Sequence, residues 1–382
     1  MPLIQYITQI QIDFGAIKLL PQECERIGIA RPLVVTDAGV KAAGIAQRVL
    51  EQLPPGVEGV IYDGTPSNPT EHAMREAVAL YRDYRCDGII AIGGGSPIDL
   101  AKGVAVCATH EGPLRQFAAV EGGVARITAA TAPVIAIPTT AGTGSEVGRG
   151  AVLILDDGRK VGVLSPHIVP RVAICDPELT LGLPPLLTAA TGMDAIAHCM
   201  ETFMAPAFNP PADGIALDGL RRGWRHIELA QREPQNRAAR LAMMSASTQG
   251  ALAFQKGLGC VHSISHALGG LMPGLHHGTL NAVLLPAVIR FNAQAPSMRE
   301  DDRLARMAQA MDLGGAGDAD AVGNAIVEMN RRLGLPAGLA QMGVDPALFP
   351  RVVALALADH CHKTNPRIAS ESDYMTMLAE SL

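Results

Sequence analysis

The sequence predicts two domains, an α/β half built on a mostly parallel sheet followed by an all-α half. Three observations carry this. Short β-branched runs alternate with helical patterns from Pro32 to Cys175. One of those runs leads into a glycine turn and a helix start at Gly93-Gly94-Gly95-Ser96. Beyond Leu183-Pro184-Pro185 strand signals vanish and helical patterns separated by Pro- and Gly-rich loops take over.

Strands are expected at Pro32–Thr36, Gly59–Tyr62, Gly88–Ile92 and Val134–Ile137, each bounded by Gly, Pro, Asp or Asn. Helices are expected between them at Val40–Leu53, Thr70–Tyr84 and Pro97–Ala108. Continuous apolar strands alternating with such helices imply a parallel sheet covered on both faces. Ala151–Leu155 and Lys160–Leu164 flank Asp156-Asp157-Gly158-Arg159, a hairpin signal, and Val172–Cys175 adds one more strand. The domain boundary is placed at residue 184, giving an α/β domain over 1–184 and an all-helical domain over 185–382. Loops punctuate the second at Pro206–Pro211, Leu313–Gly317 and Gly334–Gly338.

At 382 residues, 48% hydrophobic and 18% charged, the chain has enough apolar content for two packed cores. Its net charge of −6, with dispersed basic residues, argues against a nucleic-acid partner. No segment approaches the roughly 18 uncharged apolar residues of a membrane span. The N-terminal stretch MPLIQYITQIQIDFG lacks the basic and apolar regions of a signal peptide. Seven cysteines without a C-x-x-C pair suit a reduced, cytoplasmic protein.

Gly93 to Lys102 reads as strand end, glycine turn and helix start. Glycines allow close backbone approach to a pyrophosphate, and a helix N-terminus offers N–H groups and a favourable dipole. Gly94, Gly95 and Ser96 are therefore phosphate-binding candidates. Ser96-x-x-Asp99 also resembles a capping box with Pro97 at the first helical position. A second loop, Ile137 to Glu146, follows the next strand; Thr139, Thr140, Thr143 and Ser145 could bond phosphate, ribose or the nicotinamide amide. Asp37, directly after a strand, suits the adenosine ribose and would repel a 2′-phosphate, favouring NAD over NADP. Alternatively it is a helix N-cap for Val40 onward.

Asp194 and His198 lie one turn apart on one helix face. Alone they could be a hydrogen-bonded core pair. Eight of the eleven histidines fall at or after 198, and four crowd residues 262–277. Asp194, His198, His262 and a histidine at 276 or 277 form a plausible shell for a divalent transition metal.

On these segments the chain resembles the iron-containing (group III) alcohol dehydrogenase family. The resemblance is carried by Gly93–Lys102, Pro138–Glu146, Lys160–Pro170, Asp176–Thr180, Leu183–His198 and Gly257–Pro286. It implies a Rossmann-like first domain within a dehydroquinate synthase-like architecture. It implies NAD and Fe(II), with zinc possible on donor chemistry, and metal ligands Asp194, His198, His262 and His277. The His277-Gly278 pair matches the family's His-Gly, whereas gap-free counting from His266 favours His276. His266 would lie near substrate as proton relay. Lys160, Asp99 and Leu179 would line the cofactor site, and Phe254 and Cys361 the cleft wall. The partner is a small alcohol or aldehyde, in a homodimer. Implied function is metal-assisted hydride transfer between a small alcohol, diol or hydroxy acid and nicotinamide. Two rivals are a metal-free maleylacetate reductase-like enzyme and a sugar-phosphate cyclase. The cyclase needs Lys and Arg around a phosphate, and residues 191–202 and 257–286 contain neither.

Overall fold

A computed structural model describes residues 4, 8–314 and 317–382. The N-terminal stretch read for a signal peptide and the predicted loop at 313–317 therefore lie partly outside the described residues. Among the described residues the chain forms two compact units: one spans 8–140 and 144–182, the other 141–143 and 183–382.

The first unit is built on eight strands: β1 (Gln9–Ile12), β2 (Pro32–Val35), β3 (Val60–Tyr62), β4 (Gly88–Gly93), β5 (Val134–Pro138), β6 (Gly150–Ile154), β7 (Lys160–Leu164) and β8 (Val172–Cys175). Its helices are α1 (Leu20–Ile27), α2 (Ala38–Ala42), α3 (Ile45–Leu50), α4 (Glu71–Asp83) and α5 (Gly95–Cys107). Six strands form a parallel sheet in the order β1-β8-β5-β4-β2-β3. The hairpin β6–β7 stands apart as an antiparallel pair.

Side-chain alternation shows why β2, β4 and β5 carry uninterrupted apolar runs. Leu33, Val35, Ile89, Ala91, Val134 and Ala136 face one core cluster. Val34, Ile90, Ile92, Ile135 and Ile137 face another. A sheet buried on both faces has no solvent side to mark with polar residues.

Two local features differ from the sequence expectation. The single helix predicted over Val40–Leu53 is split, because Gly44 takes a left-handed conformation (φ 72°) between α2 and α3. β1 and α1 were not anticipated: Gln9-Ile10-Gln11-Ile12 alternates polar and apolar because it occupies the sheet edge beside β8.

The second unit consists of α6 (Pro185–Met204), α7 (Pro210–Arg232), α8 (Arg237–Leu252), α9 (Cys260–Leu271), α10 (His277–Asn292), α11 (Pro296–Glu300), α12 (Arg303–Ala310), α13 (Ala319–Arg332), α14 (Phe349–Ala358) and α15 (Glu371–Glu380). It contains no strand among its described residues. Residues 188–204 of α6 are all buried, so this helix is the unit's core and not an amphipathic surface element. No helix among the described residues is long and apolar enough to cross a membrane.

Candidate functional site

Three cofactor cues of the first unit fall at the C-terminal ends of three adjacent strands. Asp37 follows β2, Gly94–Ser96 follow β4, and Thr139–Thr140 follow β5, with β4 paired to both of the others. Chain order reverses between β2 and β4, which is where open parallel sheets bind ligands. The two loops touch: Thr139 N–H donates to Gly93 O at 3.0 Å. A Cβ on Gly94 would come within 3.2 Å of Thr140 Oγ1.

Ser96 does not cap α5 as the capping-box reading expects. Gly94 occupies the N-cap with no side-chain cap bond, and Ser96 Oγ donates instead to Ser67 O at 2.6 Å. A glycine cap keeps the start of the helix clear of protein side chains, the condition for backbone N–H groups to meet an anion. Asp99 likewise turns away from the cap, accepting from Ser145 Oγ at 2.5 Å and Val152 N–H at 2.9 Å. Asp37 does serve as an N-cap, its Oδ1 accepting Val40 N–H at 2.8 Å. Lys160 Nζ donates to Asn68 Oδ1 at 2.9 Å. Thr143 is half-buried in its loop. Leu179 is 1% exposed and packs into the apolar cluster with Ile137 and Ile174.

Lys102 was not singled out by its sequence. Fully buried, it donates to Ser145 Oγ (2.9 Å), Gly148 O (3.0 Å) and Gly150 O (2.7 Å), clamping the second loop to α5. Burial pulls its pKa down to about 8, against the attraction of Asp99 and Glu146. Its spacing from Asp99, three residues along α5, was the available signal.

In the helical unit α6, α9 and α10 bring the metal-type residues together. Asp194 Oδ1 lies 3.7 Å from His198 Nε2, 4.0 Å from His262 Nε2 and 3.8 Å from His277 Nε2. Two donors each ~2.1 Å from one ion can stand up to ~4.2 Å apart, so these separations are compatible with a shared cation. Burial, reinforced by the neighbouring His198, holds the His262 pKa well below its ordinary value and keeps its lone pair available. Asp194, His198 and His262 bring a carboxylate oxygen and two imidazole nitrogens close together, and His277 joins them through Asp194; this donor set fits a divalent cation.

Each of these imidazoles has a partner on Nδ1. His198 Nδ1 faces Gly142 O at 3.3 Å, His277 Nδ1 faces Ser265 Oγ at 3.4 Å, and His262 Nδ1 is in a short contact with Glu201 Oε2. Glu201 is 2% exposed and also accepts Val261 N–H at 2.8 Å; burial pushes its carboxyl up to about 8. Asn281 Nδ2 stands 2.7 Å from Asp194 Oδ1 and 3.2 Å from Nε2 of both His262 and His277. Neither Glu201 nor Asn281 was picked out in the sequence. The signals were there: Asp194, His198 and Glu201 repeat at i, i+4 and i+7, and Asn281 lies one turn beyond His277.

His276 lies outside this cluster. It is the N-cap of α10, where its Nδ1 accepts Thr279 N–H at 3.4 Å. Gly278 explains the His-Gly pairing physically, since a Cβ there would fall 2.2 Å from Ala190 O of α6.

His266 belongs to a second group with Asp359, His360 and Cys361. Its Nδ1 is 3.0 Å from Asp359 Oδ2, while Asp359 Oδ1 accepts Cys361 N–H at 2.8 Å. Both carboxylate oxygens are thus already engaged. Burial works against the Asp359 charge, yet His266 and His360 hold its carboxyl well below the usual carboxylate range. Phe254 meets the His198 ring edge-on, with centroids 4.7 Å apart, and Cys361 is 2% exposed.

Comparison with known proteins adds to this geometry. Residues 8–177 match the sequence model of a family described as iron-containing alcohol dehydrogenase. Residues 188–382 match that of the Fe-containing alcohol dehydrogenase family, C-terminal. The chain is 63% identical over 386 aligned residues to a 4-hydroxybutyrate dehydrogenase of Cupriavidus necator, covering 100% of both. It is 37% identical to a 1,3-propanediol dehydrogenase of Klebsiella pneumoniae, over 96% of this chain and 95% of that one. Its fold matches the crystal structure of a 1,3-propanediol oxidoreductase with a TM-score of 0.93 at 34% identity, covering 100% of both chains.

Proposed function

The chain belongs to the iron-containing alcohol dehydrogenase family, and on that premise we propose that this NAD-dependent, metal-assisted dehydrogenase oxidises the terminal hydroxyl of a short ω-hydroxy acid of the 4-hydroxybutyrate type. The observation that carries the substrate is the 63% identity, over the full length, to a 4-hydroxybutyrate dehydrogenase.

We assign Asp194, His198, His262 and His277 as the residues that hold Fe(II), on the strength of the distances from Asp194 Oδ1 to the three Nε2 atoms. When bound, the ion would supply Lewis acidity toward the substrate hydroxyl and NAD would serve as the hydride acceptor. The protein's own work is to hold and orient. Gly94, Gly95 and Ser96 offer the start of α5 to the pyrophosphate, and Thr139, Thr140, Thr143 and Ser145 supply hydroxyls for the cofactor. Lys102 and Asp99 lock the second loop against α5. Asp37 receives the adenosine ribose while keeping its cap on α2. His266, held through Nδ1 by Asp359, takes the hydroxyl proton on Nε2 and passes it outward. Oxidation of each alcohol then yields one aldehyde, one NADH and one proton. Homodimeric assembly and a cytoplasmic location complete the proposal, the latter supported by seven buried free cysteines.

The test is steady-state NADH formation by metal-loaded protein on 4-hydroxybutyrate, 1,3-propanediol and 1-butanol. We expect the highest kcat/KM on 4-hydroxybutyrate. An equal or higher value on 1-butanol would overturn the hydroxy-acid assignment. The diol is the second reading, favoured by the 37% identical 1,3-propanediol dehydrogenase.

A further inference from the structure

We propose that Glu201 is the positioning residue of the metal centre: its Oε2 fixes His262 in the Nδ1–H tautomer and directs Nε2 at the ion. This rests on the ligand assignment above.

Glu201 sits on the same face of α6 as Asp194 and His198, seven and three residues after them. It is buried, and its two oxygens have separate tasks. Oε1 accepts Val261 N–H at 2.8 Å, satisfying a first-turn donor of α9, whose own N-cap Gly259 has no side chain to do so. Oε2 faces His262 Nδ1. Glycine at 259 leaves room for this approach, since a Cβ there would lie 2.3 Å from Asn365 Oδ1 and 2.9 Å from Glu201 Oε1.

The other edge of the His262 ring points to the same tautomer. Asn281 Nδ2 lies 3.2 Å from Nε2, where it can donate to the ring when the proton is on Nδ1. The three Nδ1 partners also differ in kind. His198 has a backbone carbonyl and His277 a hydroxyl, whereas His262 has a carboxylate. A carboxyl group behind a ligating imidazole fixes its tautomer and ring orientation.

Glu201→Gln separates orientation from helix capping. The amide oxygen can still accept Val261 N–H, which turns the NH2 toward His262 Nδ1. Nδ1 must then accept, and the imidazole proton moves to Nε2, where it blocks the metal.

The experiment is chelator competition with Zn(II) or Co(II) on purified protein, alongside 15N NMR of histidine-labelled, metal-free protein. It compares the parent, Glu201→Gln, Glu201→Asp and His262→Ala. We expect Glu201→Gln to bind metal about 10- to 100-fold more weakly and to show the Nε2–H tautomer at His262. Glu201→Asp, which keeps the carboxyl group with a shorter reach, should retain the parent tautomer and recover part of the affinity. His262→Ala should lose more affinity than either. Parent-like affinity in Glu201→Gln alongside loss in His262→Ala overturns the role of Glu201 while leaving the ligand assignment intact. Parent-like affinity in His262→Ala overturns both. Substrate identity enters neither readout.

Discussion

Asp359 Oδ2 lies 3.0 Å from Nδ1 of His266, joining two residues 93 positions apart. With Nδ1 occupied, Nε2 is the nitrogen left for substrate chemistry. His266→Ala is therefore expected to keep its metal and lose turnover, by about 10²-fold or more. Asp359→Asn should give a smaller loss. Metal analysis and kcat over a pH series check this together; a parent-like pH–rate profile in His266→Ala would argue against a proton relay.

His262→Ala is expected to lose bound metal and activity in parallel, since the ring contributes a neutral lone pair within 4.0 Å of the Asp194 carboxylate. Elemental analysis after gel filtration reads the first and NADH formation the second. A metal-replete, active variant would remove His262 from the ligand set.

Asp37→Gly is expected to raise kcat/KM with NADP relative to NAD, by removing a carboxylate that would repel the 2′-phosphate. Because Asp37 also caps α2, some stability goes with it, a few tenths of a kcal/mol for a change to glycine. An unchanged cofactor ratio would reject the ribose role and leave only the cap.

Lys102→Met is expected to raise KM for NAD while metal content stays at the parent level. Lys102 holds Ser145, Gly148 and Gly150 in place and has no hydrogen bond to the metal-type residues. Removing one member of a buried charge pair also leaves Asp99 exposed to its own desolvation, a cost of about 3–5 kcal/mol. Denaturant unfolding and cofactor titration separate the two effects.

Two buried imidazoles are expected to cost metal-free protein stability as pH falls from 7 to 5. Burial lowers the pKa of both His262 and His360 in the folded state. The unfolded chain takes up protons on them near pH 6.5 while the folded chain does not. Their contribution is therefore intact above that pH and is lost below it, at up to ~1.4 kcal/mol per pH unit for each group. Glu201 works in the opposite sense, its carboxyl raised to about 8 by burial and protonated in the folded chain over this range. Comparing the pH slope of urea midpoints in the parent and in His360→Ala isolates the imidazole part; an unchanged slope in the variant would contradict the buried-neutral state.

Much of this molecule is readable in its sequence because the relevant signals are local. Uninterrupted apolar runs at 32–35, 88–93 and 134–138 specify central parallel strands, and the glycine turn after β4 marks where a backbone must approach a ligand closely. Asp194 and His198 share a face through helical periodicity alone. Periodicity says which way a side chain points along its own element and nothing about what another element places opposite it. Tertiary structure alone sets Glu201 behind His262, Asn281 against Asp194, and Asp359 behind His266. It also buries Leu179 in the core and turns Ser96 toward Ser67 instead of its own helix. Adjacent residues on a helix diverge by about 100°. Where α10 begins thus separates His277, facing Asp194, from His276, left to cap the helix, and the packing of Gly278 against α6 determines that start.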